Sequence, residues 1–154
     1  MGIKTQSQKR GIYTNMTTDD LAKNYLNRSV SRIKMLKFLL EEEAYPDTIR
    51  ESQETVELLL KAVLRSIGID PPKVHDVSKT LIEAKELFSP DFQNHLDRIQ
   101  SISRYLRKER ELSFYGEVDF IPSENYGEEE AKRAVLDTEF IYNLVKKEIV
   151  GRDV

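Results

Sequence analysis

The chain has 154 residues, 33% of them charged and 39% hydrophobic, with a formal net charge of −3. That length suits one domain with its own core, and the balance excludes an extended disordered polymer. The small negative charge excludes bulk electrostatic attraction to nucleic acid, although a local basic patch stays open, and the absence of cysteine removes disulfides, thiolate metal sites and cysteine nucleophiles.

No apolar run approaches the ~20 residues that span a bilayer, so no membrane segment is expected. Lys4, Lys9 and Arg10 have no apolar stretch behind them, which argues against a secretory signal. Residues 1–16 read as a polar, poorly ordered tail, with Met16 as a second candidate start, and residues 17–150 as the folded domain. The cysteine-free chain fits a reducing cytoplasm, where we place it. Abundant Glu, Lys and Arg with no Cys or Trp resemble a thermophile's composition.

The first element is a helix over 18–43. Thr17 and Asp20 stand in a capping-box relation, and Leu21, Ala22, Tyr25, Leu26, Val30, Ile33, Leu36, Leu39 and Leu40 recur at three- and four-residue steps. Pro46 suits the first turn of a second helix, whose buried face is Ile49, Val56, Leu59, Leu60, Val63, Leu64 and Ile67. Gly68 ends it, Pro71-Pro72 forbids continuation, and Glu57 with Lys61 forms an i,i+4 pair. Because this helix is apolar almost all round near its end, it is expected at the centre.

A short third helix is predicted over 76–88, with Val77, Leu81, Ala84, Leu87 and Phe88 inward. Ser89-Pro90-Asp91 breaks it and caps a fourth, which carries Phe92, Leu96, Ile99, Ile102, Tyr105 and Leu106 to about residue 112. The stretch 113–126 reads as irregular, and Glu117–Ile121 is its one short candidate strand. The last helix, 128–149, buries Ala131, Val135, Thr138, Ile141, Leu144, Val145 and Ile149. Helices on short loops imply an all-α, up-and-down bundle of about five helices.

Several local strings, in this order, resemble the HEPN family. Ser52 to Leu64 is similar to its second helix, an acidic–apolar–Lys-Ala run; Gly68 and then His75 follow as turn and helix opening. Arg110-Glu111-Leu112-Ser113-Phe114-Tyr115-Gly116 resembles the family's Arg-x-x-small-x-Tyr element, and Gly127-Glu128-Glu129-Glu130-Ala131 fits its last helix. The resemblance spans residues 18–150. It implies a homodimeric five-helix domain, often encoded beside a minimal nucleotidyltransferase in a toxin–antitoxin pair. Many members are metal-independent RNases that carry, at the end of the fourth helix, an Arg, four to six residues and then a His, a motif duplicated across a dimer cleft.

This chain departs from that signature, because no His follows Arg110 and the residue five positions on is Tyr115. A tyrosine with a reference pKa of ~10 keeps its proton near neutrality and is a poor general base. Arg110 retains the chemistry to stabilise phosphorane charge.

Other residues have a functional and a structural reading. His75 is either a catalytic or ligand-binding imidazole or, more simply, an anchor for the third helix; His95 is expected on an exposed face, and two histidines argue against a His-based metal site. Arg98, Arg104, Arg107, Lys108 and Arg110 form either a phosphate-binding strip or a solvated face paired with Asp97, Glu109 and Glu111. Ser113, Phe114, Tyr115 and Tyr126 surround the same loop; aromatics there either stack a base or close the bundle end, and the resemblance allows Tyr115 as a nucleotidylated residue. Glu41–Glu43 and Glu128–Glu130 are adjacent helical residues pointing in different directions, which suits solvated helix ends better than a shared ion.

The reading that unites these features is a non-catalytic HEPN-type module that contacts a nucleotide or nucleic acid through Arg107, Arg110 and Tyr115. It is expected to be a homodimer paired with a minimal nucleotidyltransferase, with no catalytic residue, cofactor or metal. A divergent RNase using Arg110 and Tyr115, and a structural dimerisation or adaptor domain, are the alternatives.

Overall fold

The computed structural model describes residues 18–73, 76–115 and 127–151, the side chains of 18–19 and 112–115 excepted. Its elements are α1 (Thr18–Glu41), α2 (Tyr45–Ser66), α3 (Val77–Glu83), a 3-10 turn (Lys85–Leu87), α4 (Pro90–Gln93), α5 (Leu96–Tyr115) and α6 (Glu128–Gly151). The protein is an all-α bundle, and no strand occurs among the described residues. The expected tail over 1–16, the candidate strand Glu117–Ile121, His75 and Tyr126 lie outside them.

Helix α2 is the hub: α1, α3, α5 and α6 all pack against it, and α1 also packs on α6. Its sequence explains the position. Pro46 sits in the first turn with Asp47 beside it, where a missing N–H costs nothing and an acid meets the helix dipole. Ile49, Val56, Leu59, Leu60, Ala62, Val63 and Leu64 are all buried, a stripe too wide for one neighbour. Thr48 and Thr55 are buried too; each hydroxyl donates to the carbonyl four residues back, at 2.8 and 2.7 Å. Gly68, at φ +82°, turns the chain out of the helix while Ile69 N donates to Leu64 O at 3.0 Å.

One core joins these α2 residues to Ala22 and Leu26 of α1, Leu81 of α3, Phe92 of α4, Ile99 and Leu106 of α5, and Ile141, Val145 and Ile149 of α6. A smaller cluster of Ile33, Leu36 and Val135 fills the α1–α6 seam. Lys37 and Glu139 form an ion pair between the same two helices at 3.0 Å.

Several predicted boundaries move. The first helix ends at Glu41 rather than 43, because Glu43 adopts φ +58° and Ala44 N returns to Leu39 O at 3.0 Å. The predicted third helix stops at Glu83 and tightens into the 3-10 turn, leaving Leu87 exposed. The predicted fourth helix is split at Asn94-His95. There His95 N bonds Phe92 O at 3.0 Å, and the His95 ring Nδ1 takes the Asp91 carbonyl at 2.9 Å that a continuous helix would give to the amide. His95 is thus half-buried and edge-on to Phe140, not on an open face. At the other end α5 runs on through 113–115, which the sequence reads as irregular.

Candidate nucleotide or nucleic-acid groove

Helix α5 presents its cations to three different neighbours. Positions 107 and 110 are three apart and share the flank that faces α2. Arg107 Nη2 donates to Glu57 Oε1 at 2.9 Å, and Arg110 donates through Nη1 to Gln53 Oε1 at 2.7 Å and through Nη2 to Glu54 Oε1 at 3.1 Å. Gln53, Glu54 and Glu57 occupy consecutive turns of α2, so the two helices are laced by a ladder of charge-assisted hydrogen bonds. Arg98 turns the opposite way, its guanidinium 3.7 Å from the centre of the Phe140 ring on α6, and Arg104 reaches Asp76 at 3.2 Å.

The partners of Arg98, Arg104, Arg107 and Arg110 therefore come from α2, α6 and the turn before α3. They are not the Asp97, Glu109 and Glu111 that neighbour these arginines in sequence. Glu57 likewise pairs with Arg107 rather than with Lys61, its expected i,i+4 partner. Asp76 shows the electrostatic consequence. Burial pushes its carboxyl up, but hydrogen bonds from the Ser78 side chain, Arg104 and the Ser78 amide, with Arg107 nearby, hold it below the ordinary value.

Arg107 and Arg110 border an open groove of about 540 Å³, whose walls include Arg32, Glu54, Glu57 and Lys61. Four cations line it against three acids, counting Glu111, so the groove is slightly positive in a chain that is negative overall. Such a groove can hold a phosphate oxygen by forked donation from the arginines, provided their carboxylate partners yield. Tyr115 is the last residue of α5, and its side chain lies outside the described residues. Positions 110 and 115 fall about 140° apart around a helix axis, so α5 does not put them on one face. The structure brings Arg107 and Arg110 together and leaves Tyr115 at the helix end.

Arg32, Gln53 and Glu54 are groove residues that the sequence does not single out. The only signal was the Gln53-Glu54-x-x-Glu57-x-x-x-Lys61 run, polar on the side where an otherwise apolar helix meets α5. Among the described residues no group of three His, Asp or Glu is placed to hold a metal ion, and no helix is long and apolar enough to cross a membrane.

Known proteins share this fold. The crystal structure of an archaeal HEPN homologue superposes with a TM-score of 0.62 at 21% identity, covering 83% of this chain and 97% of that one. A Methanocaldococcus jannaschii protein, described as a "putative toxin", is 28% identical over 131 residues, 81% of this chain and 86% of its own length. The model of the HEPN domain matches residues 22–149, from the first buried alanine of α1 to the last buried isoleucine of α6. With the bundle, the hub helix and the α5 arginines all inside that match, the chain belongs to the HEPN family.

Proposed function

We propose that this protein is a HEPN module of a toxin–antitoxin-type pair that engages a nucleotide or RNA through Arg107 and Arg110 without cleaving it. In this reading it acts as a homodimer in the cytoplasm, with a minimal nucleotidyltransferase as the other member of the pair, and Tyr115 borders the ligand. The observation that carries the reading is the groove itself. Two arginines one helical turn apart on α5 converge on a slightly positive cleft of about 540 Å³. The likeness to a protein described as a putative toxin supports the paired system. The non-catalytic part rests on the sequence: no histidine follows Arg110, and a hydroxyl of pKa ~10 does not replace a general base near neutrality.

One experiment tests ligand and chemistry together. Wild type and Arg110→Ala are heated with ATP, with AMP and with a labelled short RNA, with and without EDTA, and the RNA is then run on a gel. The expected result is a ligand-dependent rise in melting temperature in wild type, lost in Arg110→Ala, with intact RNA. No shift with any of the three ligands sinks the groove reading. Arg110-dependent cleavage of the RNA would establish the nuclease instead.

A further inference from the structure

Glu54 stands where arginines from three helices meet. Its Oε1 lies 3.1 Å from Arg110 Nη2 on α5 and 3.9 Å from Arg50 Nη1 on α2, and its Oε2 lies 4.0 Å from Arg32 Nη1 on α1. Glu51 completes the cluster, 2.9 Å from Arg50 and 3.9 Å from Arg32. Three guanidinium groups thus share two carboxylates. The Arg32–Glu54 contact is also a partition. On one side is the Arg107/Arg110 groove, and on the other a second depression of about 570 Å³ bordered by Arg28 and Met35, with Arg32 and Glu54 in the walls of both.

We propose that this three-arginine cage is a site for the terminal phosphoryl group of a nucleotide, kept closed by Glu54. The proposal rests on the nucleotide reading of the groove above and adds Arg32 and Arg50 to it. A carboxylate and a phosphate monoester present similar oxygens to a guanidinium, but the phosphate brings three of them and up to two charges. It therefore satisfies three converging arginines better than one carboxylate does. Glu54 is about one-third exposed, as are Arg32, Arg50 and Arg110. Ion pairs at that exposure hold weakly, so the side chain can swing into solvent when a better anion arrives. A phosphodiester linkage offers only two free oxygens and one charge, which is why a terminal phosphoryl group is the better match. Glu54 then sets the threshold: the resting cage is occupied by the protein's own anion, and only a ligand that outcompetes it opens the passage between the two depressions.

Titration calorimetry of the full chain with AMP at low salt tests this, with adenosine as the control that lacks the phosphoryl group. Glu54→Gln is expected to bind AMP about tenfold more tightly than wild type, since a like charge some 5 Å from the phosphate is removed. Adenosine should show no gain, and Arg32→Ala in the Glu54→Gln background should abolish the gain. Equal AMP affinity for wild type and Glu54→Gln overturns the proposal, as does a gain that survives Arg32→Ala. A gain for a short RNA but not for AMP overturns the terminal-phosphoryl assignment. Circular dichroism is recorded for each variant. Should Glu54→Gln lose helicity, Glu54→Asp replaces it, because it draws the same charge one methylene back from the arginines; no gain in AMP affinity from that variant overturns the proposal. Binding of AMP by wild type that needs Arg110 but does not respond to Glu54 sinks the cage and leaves the groove reading standing.

Discussion

Glu148 near the end of α6 grips Ser89 with both carboxylate oxygens: Oε2 accepts from Ser89 N at 2.9 Å and Oε1 from Ser89 Oγ at 2.6 Å. Ser89 is the N-cap of α4, its hydroxyl oxygen accepting from Phe92 N at 3.2 Å. A carboxylate only 7% exposed therefore fastens the α3–α4 corner to the last turns of α6. Removing it leaves the Ser89 amide without its acceptor in a poorly hydrated place. Glu148→Ala should cost about 2–3 kcal/mol, a fall in melting temperature of roughly 5–10 °C at this chain length. A double-mutant cycle with Ser89→Ala should show strong coupling. A change below a degree in Glu148→Ala would mean that apolar packing alone holds the corner.

Asp76 supplies a pH signature. It caps α3, accepting from Ser78 N at 3.0 Å, and its folded pKa lies below the ordinary value. For an acid depressed in this way, the stabilisation is fully present above the unfolded pKa of about 3.9 and is lost as pH falls through the folded value. Asp76→Ala should therefore cost about 1 kcal/mol near neutrality. Urea titrations at pH 7 and in the acid limb should show the gap between variant and wild type narrowing as the pH falls below the unfolded value. A gap that persists there would assign the loss to packing instead of charge.

The helical frame was legible in the sequence because its signals are local. The stripe over α2, Pro46 at its start, Gly68 at its end and Ser89 before Pro90 are all read within a turn or two of chain, and each stands where its pattern puts it. The ion pairs were not legible. Arg107 finds Glu57 across 50 residues and Arg110 finds Glu54 across 56, whereas a sequence read along one helix offers only Glu109 and Glu111. Glu148 and Gln53 were missed for a related reason. Each is a buried polar side chain whose partner lies on another helix, and nothing in a 3.6-residue period distinguishes it from a solvated one. The split at His95 escaped because it depends on a ring nitrogen reaching one particular carbonyl. The groove was thus half visible: its α5 wall was expected, while the α2 wall and Arg32 emerge only from packing.

Leu60 measures how much α2 matters as hub. It is fully buried, whereas Leu136 on α6 is 66% exposed. Leu60→Ala should cost about 2–5 kcal/mol, part transfer and part cavity, a large fraction of the stability of a domain this size. Leu136→Ala should stay within about 0.5 kcal/mol. Both are read from the midpoints of chemical denaturation, and similar midpoints for the two variants would contradict α2 as the load-carrying helix.

Glu43 carries a conformational cost that a substitution can relieve. It forms the turn between α1 and α2 at φ +58°, in the left-handed region where a Cβ crowds the following carbonyl. The side chain returns little, since its contact from Tyr45 Oη is 3.4 Å long and exposed. It also places a third acid after Glu41 and Glu42 beside the C-terminal end of α1, where the helix dipole disfavours negative charge. Glycine removes the steric conflict and the charge together, at the expense of a freer unfolded chain. The net expectation for Glu43→Gly is a gain of about 0.5–1 kcal/mol, or roughly 1–4 °C in melting temperature. Glu43→Val should move the other way, because a β-branched side chain tolerates that φ least. If calorimetry ranks valine at or above glycine, this turn does not hold its left-handed residue in solution.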